Sequence, residues 1–149
     1  MGYALGGAIA ARFASEHSGQ ISRLVLVDSL GLSPFHPALA FGAALNDFLA
    51  LPSERTHDGL WQHCAYDLDG VRRRMGPRWE SFKSYNVDRA QTPSVQAALG
   101  ALMQLFGLPA IASADLARIA ATTTLIWGRH DLATPLPVAE AASARYGWA

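Results

Sequence analysis

Residues 21–28, Ile-Ser-Arg-Leu-Val-Leu-Val-Asp, carry a continuous leucine and valine run, the pattern of a strand covered on both faces in a parallel sheet. The same character returns at residues 122–127, Thr-Thr-Thr-Leu-Ile-Trp, which read as a second buried strand ending at Gly128. Ahead of the first run, small and apolar residues from Gly7 to His17 predict a short, closely packed helix. Ile9, Ala10 and Phe13 form its expected packing face, and Ser18-Gly19 its stop. Turn, helix and strand make most of a βαβ unit.

Between Gly31 and about Ser113 the pattern turns helical, punctuated by Pro34, Pro37, Pro52, Pro77, Pro93 and Pro109, with no run that reads as a buried strand. This stretch reads as an inserted helical region. Ser113 is placed to cap a short helix containing Asp115 to Ala120. Thr134 and Pro135 form a cap and first-turn pair for a helix running to about Tyr146, with Gly147 past its end.

Composition narrows the function classes. A chain of 149 residues can bury a sizeable core, roughly 70% of its unfolded surface. Lys plus Arg equals Asp plus Glu, 12 against 12, which leaves no broad electrostatic footprint for nucleic acid or anionic membrane. The cluster Val71-Arg72-Arg73-Arg74 reads as a solvated helix face. Cys64 stands alone, excluding an intrachain disulfide framework and a multi-cysteine zinc site; it reads as a buried bystander in a reducing, cytoplasmic compartment. The apolar opening lacks a positively charged leader, and Arg12 interrupts it well short of the about 20 residues a membrane span needs. The turn at Gly2 with no strand before it, and the ending after a helix, give the expectation of a piece of a longer fold.

The candidate chemistry begins at Gly2-Tyr3-Ala4-Leu5-Gly6-Gly7. A nucleophile elbow has the pattern G-x-S-x-G because the chain turns sharply from strand into helix around a strained, displayed residue, which needs small neighbours. Here Gly2, Gly6 and Gly7 supply those neighbours while alanine stands where serine would attack. The alternative for the same stretch is a plain Gly/Ala-rich helix start. A second element, Trp127-Gly128-Arg129-His130-Asp131, leaves the later strand and puts a carboxylate in a loop where it could orient a histidine. Asp131 reads alternatively as a loop acid capping the following helix.

Taken in order, these pieces resemble the α/β-hydrolase superfamily, specifically members with a helical lid between the sixth and seventh strands, and the resemblance covers the whole chain. It implies an α/β fold with a parallel sheet. Residues 1–30 then hold the elbow, helix and strand of the core, 31–112 the helical lid, and 113–149 the core strand carrying the acid and the following helix. It further implies that Ala4 occupies the nucleophile position without itself being reactive, that Leu5 offers a backbone N–H to the oxyanion hole, and that Asp131 is the acid. Asp28, ending the sixth strand, is the alternative acid. The other oxyanion donor is expected upstream of Met1 and the catalytic histidine beyond Ala149. His130 adjoins Asp131 too closely to serve, and His17, His36, His57 and His63 read as structural or exposed. Phe35, Phe41, Phe48, Trp61, Trp79, Phe82 and Phe106 line an apolar substrate pocket or, more simply, pack the lid.

The function implied is hydrolysis of an ester, amide or related bond in a small organic substrate, without cofactor or metal. The covalent step is lost with Ala4, so the isolated chain is expected to be inactive. A noncatalytic descendant that binds a ligand or partner is the alternative. A dinucleotide-binding oxidoreductase fragment is another: Gly2-x-x-x-Gly6 and Asp28 fit a βαβ nucleotide site, but the spacing is not G-x-G-x-x-G, and Tyr85 is followed by Arg89 where a short-chain dehydrogenase has lysine. Two structural expectations follow from the hydrolase resemblance: Ala4 and Asp131 meet at the carboxyl end of one sheet, roughly 7–10 Å apart, and the strand at Leu24 to Val27 has unpaired edges beside it.

Overall fold

The computed structural model describes residues 1–107 and 109–149, with the side chains of Phe106 and Gly107 also outside the description. In chain order the elements are β1 (Gly2–Tyr3), α1 (Ala4–Glu16), β2 (Arg23–Val27), α2 (Leu39–Ala50), α3 (Glu54–Cys64), α4 (Leu68–Met75), α5 (Arg78–Gln91), α6 (Pro93–Leu102), α7 (Ser113–Leu116), β3 (Thr122–Ile126) and α8 (Pro137–Tyr146). A single 3-10 turn follows α1, and a π-helical turn follows α6. The chain divides into two compact units, 1–36 with 101–149, and 37–100.

The first unit is an α/β layer built on a parallel sheet of order β1-β2-β3, with Tyr3 opposite Val27 and Val27 opposite Ile126. β3 pairs β2 along its whole length, whereas β1 reaches only Leu26 and Val27; the expectation of open edges beside Leu24 to Val27 is therefore corrected on the β3 side, while among the described residues Leu24 and Val25 have no strand partner on the β1 side. The outer edge of β3 is met by Ala149, whose N–H donates to Thr123 O at 3.2 Å and whose carbonyl accepts from Leu125 N–H. In β2 alternate residues Leu24 and Leu26 are fully buried and Val25 and Val27 half-buried, close to the expected two-faced burial. β3 differs. Thr123 is buried, but Thr122, Thr124 and Ile126 face out, so β3 alternates as a strand covered on one face.

α1 begins at Ala4, three residues before the sequence pattern suggested, and its buried stripe is Gly7, Ala8, Ala11, Ala14 and Ser15. Ile9 and Phe13 are 40% and 49% exposed, so the expected packing face is wrong except for Ala10, which lies against the core. The reason is distance. Helix and sheet approach so closely that only the smallest side chains fit between them: a Cβ added to Gly7 would lie 2.7 Å from Ser29 Cβ. Leu24, Leu26, Leu116, Val138 and Trp148 complete this core, and Arg12 joins α1 to α7 through Asp115 at 2.9 Å.

Both later caps also move. Ala112, not Ser113, precedes α7, which stops after four residues. α8 starts at Pro137, because Pro135 and Thr134 belong to a turn ahead of it; its end is as expected, with Gly147 left-handed at φ +67. The second unit is all-helical among its residues, as the proline-punctuated pattern predicts. Its clearest local signal is Ser53, whose hydroxyl accepts from Thr56 N–H while Thr56 Oγ1 accepts from Ser53 N–H, a capping box opening α3. Cys64, at the end of α3, is exposed and not the buried bystander expected from its type. No described helix is long and apolar enough to cross a membrane.

Candidate functional site

The carboxyl edge of the sheet is where the chain's backbone is most constrained. Among the described residues two without the freedom of glycine have positive φ, Ala4 at +47 and Asp28 at +43, and each is the residue that leaves a strand. For an L-residue this region costs roughly 1–2 kcal/mol. Ala4 ends β1 and opens α1 at once, a turn that brings Gly2 onto the next helical turn: a Cβ on Gly2 would clash with the Gly6 carbonyl and sit 2.7 Å from Gly7 Cα. Gly6 itself has open space where a Cβ would be, so the tight position is Gly2 and the requirement on Gly6 is weaker than the pattern implies. The turn is tied down from β2's side by Leu30 N–H donating to Ala4 O at 3.1 Å.

Ala4 and Leu5 are half-buried, and the first turn of α1 has neither an acidic residue nor a side-chain cap. Its leading N–H groups therefore remain available to an anionic or oxyanionic group. Asp28 follows the middle strand, and Asp131 lies in the loop that follows β3, so all three positions come off the same edge of one parallel sheet. Neighbouring strands stand about 4.8 Å apart, which sets β1 and β3 about 10 Å from each other with β2 between.

Asp28 Oδ1 accepts from Gly128 N–H at 2.7 Å, and Asp28 N–H donates to Ile126 O at 3.0 Å. Asp131 Oδ1 accepts from Ala133 N–H at 2.7 Å and Thr134 N–H at 2.9 Å, folding its loop back before α8. Trp127 reinforces that fold by donating its indole N–H to Thr134 O at 2.8 Å. Burial pushes the Asp28 carboxyl above the usual carboxylate range; Gly128 N–H opposes this, while the charge of Asp131 and a side-chain hydrogen bond with it add to it. The two candidate acids are thus brought into contact. Gly128 was not singled out by sequence reasoning, although a glycine two residues past a strand is a signal for close approach.

None of the histidines read as structural or exposed belongs to this edge by position: His17 follows α1 and is exposed, His36 is exposed, and His57 and His63 are on α3. His130 is exposed beside Asp131. His57 is completely buried within the helical unit, ringed by Phe48, Trp61, Trp79 and Phe82 at centroid distances of 5.8–6.0 Å. Asn86 donates to its Nε2 at 3.2 Å, which leaves Nδ1–H to donate to Asp58 at 3.3 Å. Burial holds its pKa below the ordinary value, with Asp58 opposing. Phe106, another of the expected pocket aromatics, lies outside the described side chains.

A cavity of about 340 Å³ in the same unit is lined by Asp58, Arg72, Gly76, Trp79, Glu80 and Lys83. Lys83 is buried and pairs with Glu80 at 2.9 Å, Glu54 at 3.4 Å and Asp58 at 3.8 Å; the Glu80 hydrogen bond holds its pKa up. Arg72 stacks over Trp79 with its Nε buried and without a protein partner. It is therefore a packing residue and not simply part of a solvated face. Opposite charges share this cavity and mostly neutralise one another, an arrangement suited to holding helices together.

Neither a protein-family model nor a curated protein matches the chain. Solved structures do. A serine hydrolase from the polyaromatic-hydrocarbon-degrading bacterium Cycloclasticus zankles aligns with TM-score 0.77 at 19% identity, covering 97% of this chain and 50% of its own. A meta-cleavage product hydrolase from Pseudomonas fluorescens IP01, in a serine-to-alanine variant complexed with acetates, aligns with TM-score 0.68 at 24% identity, covering 98% and 50%. A bacterial membrane phospholipase A aligns with TM-score 0.65 at 23% identity, covering 95% and 44%. The chain spans about half the length of the solved structures it matches. The small parallel sheet and the helices around it match the α/β-hydrolase fold of these structures.

Proposed function

We propose that the chain is the half of a hydrolase that carries the nucleophile turn and the acid, acting in the intact protein on an ester, amide or related bond of a small organic substrate. The observation that carries this reading is the positive φ of Ala4 at an immediate strand-to-helix turn, on the same sheet edge as Asp131. In this reading Ala4 occupies the nucleophile position, Leu5 N–H is one oxyanion donor, and Asp131 is the acid, with Asp28 as the alternative. The histidine base belongs to the part of the fold that the chain does not span, and the helical unit serves as the lid. No nucleic acid or membrane partner is called for, and a single exposed cysteine suits a cytoplasmic setting. A serine-to-alanine variant among the neighbours keeps its fold, so alanine is compatible with this architecture.

The absent hydroxyl favours a second reading for the chain as it stands, a descendant that binds a ligand without turning it over. Both readings require the displayed position to be real. In a Cys64→Ser background, Ala4→Cys places a thiol at the start of α1, where helix N–H groups favour the thiolate. Its alkylation by iodoacetamide is expected to have a midpoint below the about 8.5 of a free cysteine. The unaltered chain is expected to show no labelling by a fluorophosphonate probe. An ordinary or raised thiol midpoint, or reproducible labelling of the unaltered chain, overturns the assignment of Ala4.

A further inference from the structure

Asp28 and Asp131 do different jobs on the same loop, and the geometry around Gly128 separates them. Asp28 arrives on the middle strand at φ +43, and its Oδ1 is spent on Gly128 N–H at 2.7 Å. Asp131 arrives on the loop itself: its N–H donates to Gly128 O at 3.1 Å, and its Oδ1 takes both Ala133 and Thr134 N–H groups. Gly128 therefore lies between the two acids, and a Cβ placed on it would be 3.6 Å from Asp28 Oδ1 and 3.6 Å from Asp131 Cβ. The charge of Asp131 is among the causes that hold the Asp28 carboxyl above its ordinary range, after burial.

We propose that Asp28 is a positioning residue for Asp131: its carboxyl anchors Gly128, whose carbonyl accepts from Asp131 N–H, so that the loop holds Asp131 in one orientation. This rests on the reading of Asp131 as the acid and makes Asp28 its support, not its substitute. Burial and the neighbouring acid push the Asp28 carboxyl upward, and Asp131 Oδ1 accepts the Ala133 and Thr134 N–H groups that fix its side chain in the loop. Asp131 is the titratable group that bears on Asp28; the other groups around it are the backbone N–H of Gly128 and carbonyl of Ile126. The strained backbone at Asp28 follows from this task, because the residue must leave β2 and still turn its carboxyl sideways onto the loop that leaves β3.

Carboxyl carbon NMR titration of the unaltered chain, Asp28→Asn, Asp28→Ala and Asp131→Asn tests the pairing directly. In the unaltered chain the Asp28 midpoint is expected above the ordinary 3.8 and in Asp131→Asn to fall back toward it. Asparagine at 28 can still accept from Gly128, so amide exchange at Ala133 and Thr134 should stay within about twofold, while Asp28→Ala should raise it about tenfold. An Asp28 midpoint indifferent to Asp131→Asn, or equal exchange in the alanine and asparagine variants, overturns the proposal. The first readout uses the chain with Asp28 intact, so a poorly folded alanine variant does not shield the idea. Failure of the wider reading looks different: an ordinary thiol at Ala4→Cys, with the Asp28 midpoint still dependent on Asp131, leaves the Asp28 anchor on Gly128 standing and removes the acid role.

Discussion

The sheet edge and the helical unit each bury a titratable group, and they do so in opposite ways. At the edge, Asp28 sits on a left-handed backbone, half-buried, in contact with a second acid. In the helical unit, His57 is fully buried on a regular helix, both ring nitrogens are hydrogen-bonded, and four aromatic rings enclose it. Among the described residues the helical unit has no non-glycine residue with positive φ, whereas the edge has both that are found. Strain held at one edge, with regular geometry elsewhere, distinguishes a site from a packed interior. Polar burial alone would have pointed to His57; backbone conformation points to Ala4 and Asp28.

The largest break of this comparison is in the helical unit. Trp79 is 4% exposed, meets His57, Trp61 and Phe82 edge-on or tilted, and carries Arg72 on its face. Trp79→Ala is expected to cost about 3–5 kcal/mol, read by thermal unfolding and by amide exchange in α3 and α5. A loss below about 1 kcal/mol would show that the ring cluster is not the interior of this unit. Next in size is Gly2→Ala at the edge, where the new methyl meets the Gly6 carbonyl; about 1–3 kcal/mol is expected from overpacking. Gly6→Ala, with open space at its Cβ, serves as the control and should cost far less.

That pair of glycines also shows how far the sequence could be read. The strand-to-helix turn at Ala4, the leucine and valine run of β2, the turn after β3 and the helical character of residues 37–100 were legible because each depends on local pattern or turn chemistry. The packing face of α1 was not. Apolar size suggested Ile9 and Phe13, but the closeness of helix to sheet selects Gly7, Ala8 and Ala11, a fact of tertiary distance that no helical periodicity contains. The burial expected of β3 held on one face only, for a related reason: Thr122 and Thr124 have β propensity on an exposed face as readily as on a covered one. Asp28 and Asp131 were each recognisable as strand-end acids, yet their contact through Gly128 joins residues a hundred positions apart.

A smaller effect sharpens the edge side of the comparison. If Ala4 is strained, Ala4→Gly should stabilise the chain, since glycine removes a penalty of roughly 1–2 kcal/mol and gives back roughly 0.5–1 kcal/mol in backbone entropy. A gain between zero and about 1.5 kcal/mol is expected from the difference. Ala8, buried in the same helix, supplies the contrast: Ala8→Gly should destabilise by about 1 kcal/mol or more. Equal losses at the two positions in denaturant unfolding would show that Ala4 is an ordinary helical residue.

The finest distinction is the sign of the pH response. The folded chain lowers the pKa of His57, chiefly by burial, with Lys83 and Arg72 assisting and Asp58 opposing. Below the ordinary 6.5 the unfolded chain therefore binds more protons at this position than the folded one. The stability His57 contributes is complete above pH 6.5 and is lost as pH falls through the lowered folded value. Asp28 runs the other way. Its folded pKa is raised, so its contribution is complete below the ordinary 3.8 and is lost as pH rises through the raised value. Because Asp58 offsets the burial of His57 and Gly128 offsets that of Asp28, both slopes are expected to be shallow. Amide exchange corrected for intrinsic rates separates them: between about pH 7.5 and about pH 5.5 protection in α3 and α5 should fall, and His57→Gln should flatten that fall. In β2 and the Gly128 loop, protection should instead rise as pH drops toward 3.8, and Asp28→Asn should remove the rise. A common slope in both regions, unaffected by either substitution, would mean that neither buried group sets the stability of its own surroundings.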